Sequence, residues 1–74
     1  MSEKVSVIIE KDAEGYYAYC PSLQGCHSQG DTFEEVMDNI KEAVELYLET
    51  MSDREKEECF SHEIVTTALE VRVA

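Results

Sequence analysis

Three carboxylates crowd the first turn of the chain, in the run Ile9-Glu10-Lys11-Asp12-Ala13-Glu14-Gly15. Carboxylates at that density can bind a divalent cation, act as general acid and base, or offer negative charge to a basic surface. Their spacing does not match the calcium-loop signature D-x-[DN]-x-[DN]-G, which leaves exposed turn residues as the simpler reading. A second reactive set is Cys20, Cys26, His27, Cys59 and His62. Zinc takes its Cys and His ligands in tight pairs. Cys26 and His27 are adjacent, so on a strand they point to opposite faces, and Cys59-x-x-His62 is the one pair with usable spacing. A nucleophilic thiolate needs positive surroundings that an acidic chain does not supply. The cysteines therefore read as small core hydrophobes, with no metal, cofactor or catalytic residue expected. Gly25 and Gly30 lack the lysine and the strand-to-helix pattern of a phosphate-cradling loop.

Charge narrows the field further. Seventeen acidic residues stand against six Lys and Arg among 74, a formal net charge of −11. A nucleic-acid surface must neutralise phosphates with bases that this chain hardly has, so direct DNA or RNA binding is not expected. An acidic surface instead draws in basic partners. No apolar run approaches a membrane span, the first residues lack a signal-peptide pattern, and an odd number of cysteines suits a reducing cytoplasm. The length allows one domain over residues 1–74. A chain so short buries only about 60% of its unfolded surface, so self-association as a homodimer or higher oligomer is expected.

Those residues must be positioned by a few short elements. Lys4 to Glu10 alternates apolar Val5, Val7 and Ile9 with polar neighbours and predicts a strand. Gly15 ends the turn that follows, where a positive φ is tolerated. Tyr16 to Cys20 predicts a second strand, stopped by Pro21, and Cys26 to Gln29 a short third one. Thr32 opens an amphipathic helix of some 19 residues, with Glu35 at the capping-box position and Phe33, Val36, Met37, Ile40, Ala43, Val44, Tyr47 and Met51 recurring at helical spacing. Ser52 to Glu58 reads as a polar connector with room for a helical turn. His62 to Val73 alternates again and predicts a last strand beside the first. The expected class is α+β: a small antiparallel sheet with one helix packed on it, in the order β-β-β-α-β. One helix covers one face, so Ile8 and either Tyr16 or the Tyr17/Tyr19 pair must lie on an uncovered face that calls for a partner.

The helix is acidic on its outward side. Between Asp31 and Glu58 there are eleven acids and three bases, and Glu34/Asp38, Asp38/Glu42 and Glu45/Glu49 are like charges four apart. Each such pair costs a few tenths of a kcal/mol. A helix selected for stability alone would carry more lysines, which favours a functional negative surface. The residues singled out as partner contacts are Glu10, Asp12, Glu14, Tyr16, Ser22 and Asp31, at the strand ends and turns.

Gly15-Tyr16, Pro21, Leu23, Gly25-Cys26, Gly30-Asp31-Thr32, Glu34-Glu35 and Glu42-Ala43-Val44-Glu45-Leu46-Tyr47-Leu48 occur in the order and spacing of the HicB-like antitoxin family, which the chain resembles from residue 4 to about residue 50. The resemblance implies a β-β-β-α-β fold akin to a degenerate ribonuclease H fold without its catalytic carboxylates. It also implies a non-enzymatic antitoxin that binds and neutralises a small basic messenger-RNA interferase of the HicA type. Many family members carry a C-terminal operator-binding segment. The sequence ends at Ala74 without one, so operator binding is not expected of it. Gln24 and Val36 stand where the family often has Pro and Ala. Two other readings are an orphan regulatory or structural module without a toxin, and a residual nuclease using Glu10, Asp12 and a metal.

Overall fold

The computed structural model describes residues 3–74; Met1 and Ser2, which precede the first predicted strand, lie outside the described residues. Three strands form an antiparallel sheet in the order β1-β2-β3: β1 is Ile8–Asp12, β2 Gly15–Tyr19 and β3 His27–Gly30. Helix α1 follows at Phe33–Glu49 and helix α2 at Asp53–Ser61. The α+β class, the three strands and the amphipathic helix are those expected from the sequence.

The sheet is shaped by its turns. Asp12 pairs with Gly15, so Ala13 and Glu14 alone make the first turn. Asp12 Oδ1 accepts from the Glu14 amide at 2.8 Å and pins that tip. Gly15 has φ +133°, and a Cβ there would stand 2.9 Å from the Gly30 carbonyl oxygen. β1 begins at Ile8 rather than Lys4, because its partner β2 ends at Tyr19 and Pro21 stops the ladder. Lys4 to Val7 keeps its alternation but has no neighbour to pair with.

α1 is capped by Thr32, whose Oγ1 accepts from the Glu35 amide at 3.1 Å. Val36, Ile40 and Val44, four residues apart, press its inner stripe onto Ala18 of β2. The stripe is narrower than the periodicity suggests, since Phe33 and Met37 at its edge are exposed. At the helix start the approach is closest. A Cβ on Gly30 would meet the Val36 backbone nitrogen at 2.7 Å. Thr50 closes α1, and Ser52 opens α2 with the full reciprocal capping box: its hydroxyl accepts from the Glu55 amide while the Glu55 carboxylate accepts from the Ser52 amide. Those hydrogen bonds favour the ionised carboxylate and lower the Glu55 pKa.

Two expectations are corrected here. The polar connector is a nine-residue helix, α2, docked through Cys59. The last strand, His62 to Val73, is not formed: residues 62–74 adopt neither helix nor strand. Alternating residue types fit a strand, but a strand exists only as a pairing, and this segment meets no edge of its own sheet.

Cys20, Cys26 and Cys59 are all free thiols inside the core, which Leu23, Ala18 and the α1 stripe complete. Burial pushes the Cys26 and Cys59 thiols up, with Cys20 adding to the effect. A thiol harder to ionise in the fold than in the unfolded chain adds stability that is complete below roughly pH 8.5 and is lost as pH rises through the raised folded value. Urea midpoints under reducing conditions should hold at neutral pH and fall as pH rises above about 8.5, with a shallower fall in the Cys26→Ala/Cys59→Ala variant. Gly30→Ala should cost about 1–3 kcal/mol in urea unfolding, because the atoms it meets are backbone and cannot turn aside.

Candidate acidic interface

The hairpin tip, the end of β3 and the first turns of α1 converge on one open cleft of about 700 Å³. Asp12 and Glu14 reach it from the tip, Tyr16 from β2, Asp31 from the β3–α1 junction. α1 adds Glu35 and, one turn on, Asn39. Asn39 Nδ2 donates to the Gln29 carbonyl at 2.8 Å, tying the helix to the edge of β3. Tyr16 stands edge-on to Phe33, with ring centroids 6.2 Å apart, and Lys11 Nζ lies 5.5 Å from the Tyr16 ring centre.

Asp12, Glu14, Asp31 and Glu35 give the cleft four carboxylates, and none of its described lining residues is basic. Little elsewhere neutralises the surplus. The ion pair among the described residues is Arg54–Glu58 at 3.6 Å on α2, both groups exposed, where such a pair contributes little.

Four of the six residues expected to meet a partner are therefore brought together: Asp12, Glu14, Tyr16 and Asp31. Glu10 lies outside the cleft, directly opposite Tyr17 in the ladder and two residues before Asp12 on the same face of β1. Ser22 stands apart, beyond the far end of β2, and shares a hydrogen bond of 2.9 Å with His62 Nδ1. Glu35 and Asn39, which the sequence did not single out for this surface, line the cleft as well, and His27 lies beside Tyr17 on the sheet. Glu35 looked committed to a capping box; among the described residues only the Thr32 hydroxyl half of that box forms, and the carboxylate lines the cleft.

The face of the sheet away from α1 carries an aromatic strip. Tyr17 stacks on His27 with centroids 5.7 Å apart and lies 5.9 Å from Tyr19. Of the two alternatives for the uncovered face, it is thus the Tyr17/Tyr19 pair. Tyr17 also borders the cleft, so the acidic and aromatic surfaces are continuous. Rings of this kind bury much area at small entropic cost.

Among the described residues no three of His, Cys, Asp and Glu stand together in a way that could hold a metal ion. Cys26 and Cys59 are buried with raised pKa values, the opposite of an activated nucleophile. No helix among the described residues is long and apolar enough to cross a membrane.

Several known proteins are similar to this chain in sequence. A UPF0150 protein of Archaeoglobus fulgidus is 44% identical over 63 residues, which cover 84% of this chain and 91% of the relative. A UPF0150 protein of Synechocystis sp. is 60% identical over 47 residues, 62% of this chain and 60% of its own. Another, of Helicobacter pylori, is 57% identical over 44 residues, 60% of this chain and 61% of its own. The chain thus spans about three fifths of the length of these last two relatives. No solved structure matches. The profile of the HicB-like antitoxin of bacterial toxin–antitoxin systems matches residues 5–71, from the segment before β1 through both helices into the tail. The chain belongs to the HicB-like antitoxin family.

Proposed function

We propose that the chain is a non-catalytic binding module, the antitoxin of a toxin–antitoxin pair, which in the cytoplasm holds and silences a small basic messenger-RNA interferase of the HicA type. The observation that carries this reading is the cleft of four carboxylates with no base among its described lining residues. A Lys or Arg brought into it meets several negative groups at once. One such contact at 4 Å is worth about 1 kcal/mol in open water and about 4 kcal/mol where solvent is partly excluded. The free carboxylates therefore favour a cationic occupant.

Charge and rings divide the work. Negative potential raises the rate of encounter with a basic protein and orients it. Tyr17, Tyr19 and His27 supply rigid apolar area that slows departure. A toxin whose cations are engaged in this way cannot offer them to RNA phosphates, so inhibition needs no chemistry. Copies of the chain associate with one another, which adds the burial that a core this thin lacks.

The test is a binding measurement with a small basic interferase of the HicA type. Affinity should weaken as salt rises, and Asp12→Asn/Glu14→Gln/Asp31→Asn should slow association by about tenfold or more at low salt. Association at the wild-type rate by that variant would remove the cleft from the interface. Tyr17→Ala should leave association unchanged and shorten the lifetime of the complex, at a cost of about 2 kcal/mol.

A further inference from the structure

The segment after α2 is built like a strand and has no strand beside it. Val65, Leu69, Val71 and Val73 are 77%, 82%, 69% and 84% exposed, although their odd-numbered spacing gathers them on one face of an extended chain. His62 anchors the start of the segment to Ser22. From there the tail leaves the body: the molecule measures 48 Å along its longest axis and 28 and 20 Å across. Extended at about 3.3 Å per residue, residues 63–73 reach roughly 36 Å, enough to cross a neighbour of this size.

A receiving surface exists on the same chain. The sheet order β1-β2-β3 leaves two outer edges. The edge of β3 is guarded by α1, whose Asn39 occupies the Gln29 carbonyl. The edge of β1 is open, and the unpaired segment that leads into it, Lys4 to Val7, continues the same alternation. Beneath that segment runs an apolar groove of about 850 Å³, floored by Val5, Val7, Val44 and Leu48. Lys4, Lys41 and Lys56, three of the six basic residues in a chain of net charge −11, line it against two acids, Glu3 and Glu45. The tail carries Glu63 and Glu70 to meet the lysines, beside a single base, Arg72.

We infer that residues 63–73 form an arm exchanged between two copies of the chain. Each arm adds a fourth strand to the outer edge of β1 in the other copy and seats Val65, Leu69, Val71 and Val73 in the groove. The exchange is reciprocal, as a two-fold dimer requires, and it pairs backbone on both sides while removing four aliphatic side chains per copy from water. It deepens the self-association contained in the proposed function and is independent of toxin binding, since it is read on the chain alone.

Sedimentation of the full chain should give twice its 8.4 kDa mass. Hydrogen exchange should show protected amides along both Val5–Ile9 and residues 64–72. Leu69→Asp/Val71→Asp alters side chains that are exposed in the single chain, so its helical circular dichroism should persist while the dimer dissociation constant rises by about 100-fold or more and both protections vanish. A dimer that survives this variant overturns the exchange. So does a monomeric wild type, whether its tail is unprotected or protected by folding onto its own β1. A wild-type dimer that fails to bind a small basic interferase would count against the acidic cleft and leave the arm standing.

Discussion

The fold depends on how closely α1 can approach the sheet. β2 begins, β3 ends and α1 begins around one point, where Gly15 and Gly30 remove the two side chains that would collide with the Gly30 carbonyl and the Val36 backbone. This contact sets the helix angle and so places everything near the helix start. Asp31 becomes the lip of a cleft, Thr32 the cap, and Glu35 and Asn39 two successive rungs facing the strand edge. A helix held even one methyl group further out would lose the Asn39–Gln29 bond and spread the carboxylates apart. Packing at one backbone junction thereby determines an electrostatic feature of the surface.

The two surfaces that result differ in kind. The cleft is polar and negative, whereas the outer sheet face is aromatic, and Tyr17 belongs to both. Neither suffices for tight recognition, because screened charges give speed with little residence and an apolar strip alone discriminates poorly between partners. In the proposed function their continuity would serve as a single interface of ordinary anatomy, with ring anchors inside and charges around them.

Local features were legible in the sequence and long-range pairing was not. Gly15, Pro21 and Gly30 mark turns through their own backbone preferences, and Thr32 announces the cap of α1. Those signals act within four residues and survive any context. The inward stripe Val36-Ile40-Val44 could be read for the same reason. Seven mostly charged residues hid α2, which rests on its Ser52–Glu55 cap and one buried cysteine rather than on a broad apolar face. The tail misled in the opposite direction. Its alternation is as regular as that of β1, but no sequence pattern names the edge that a strand joins. The cleft was half legible: Asp12, Glu14 and Asp31 are turn residues, while Asn39 declares itself only once the helix is laid against β3.

The acidic helix carries a thermodynamic consequence. Glu34, Asp38 and Glu42 climb α1 at four-residue intervals, and its last turn holds no base to offset the negative end of the helix. Such an arrangement strains the free molecule, which repels itself along its longest element. Any polycation that settles over these groups relieves the strain in proportion to the charge it brings. Heat tolerance and lifetime are then attributes of the occupied state, and the solitary chain is the more perishable species.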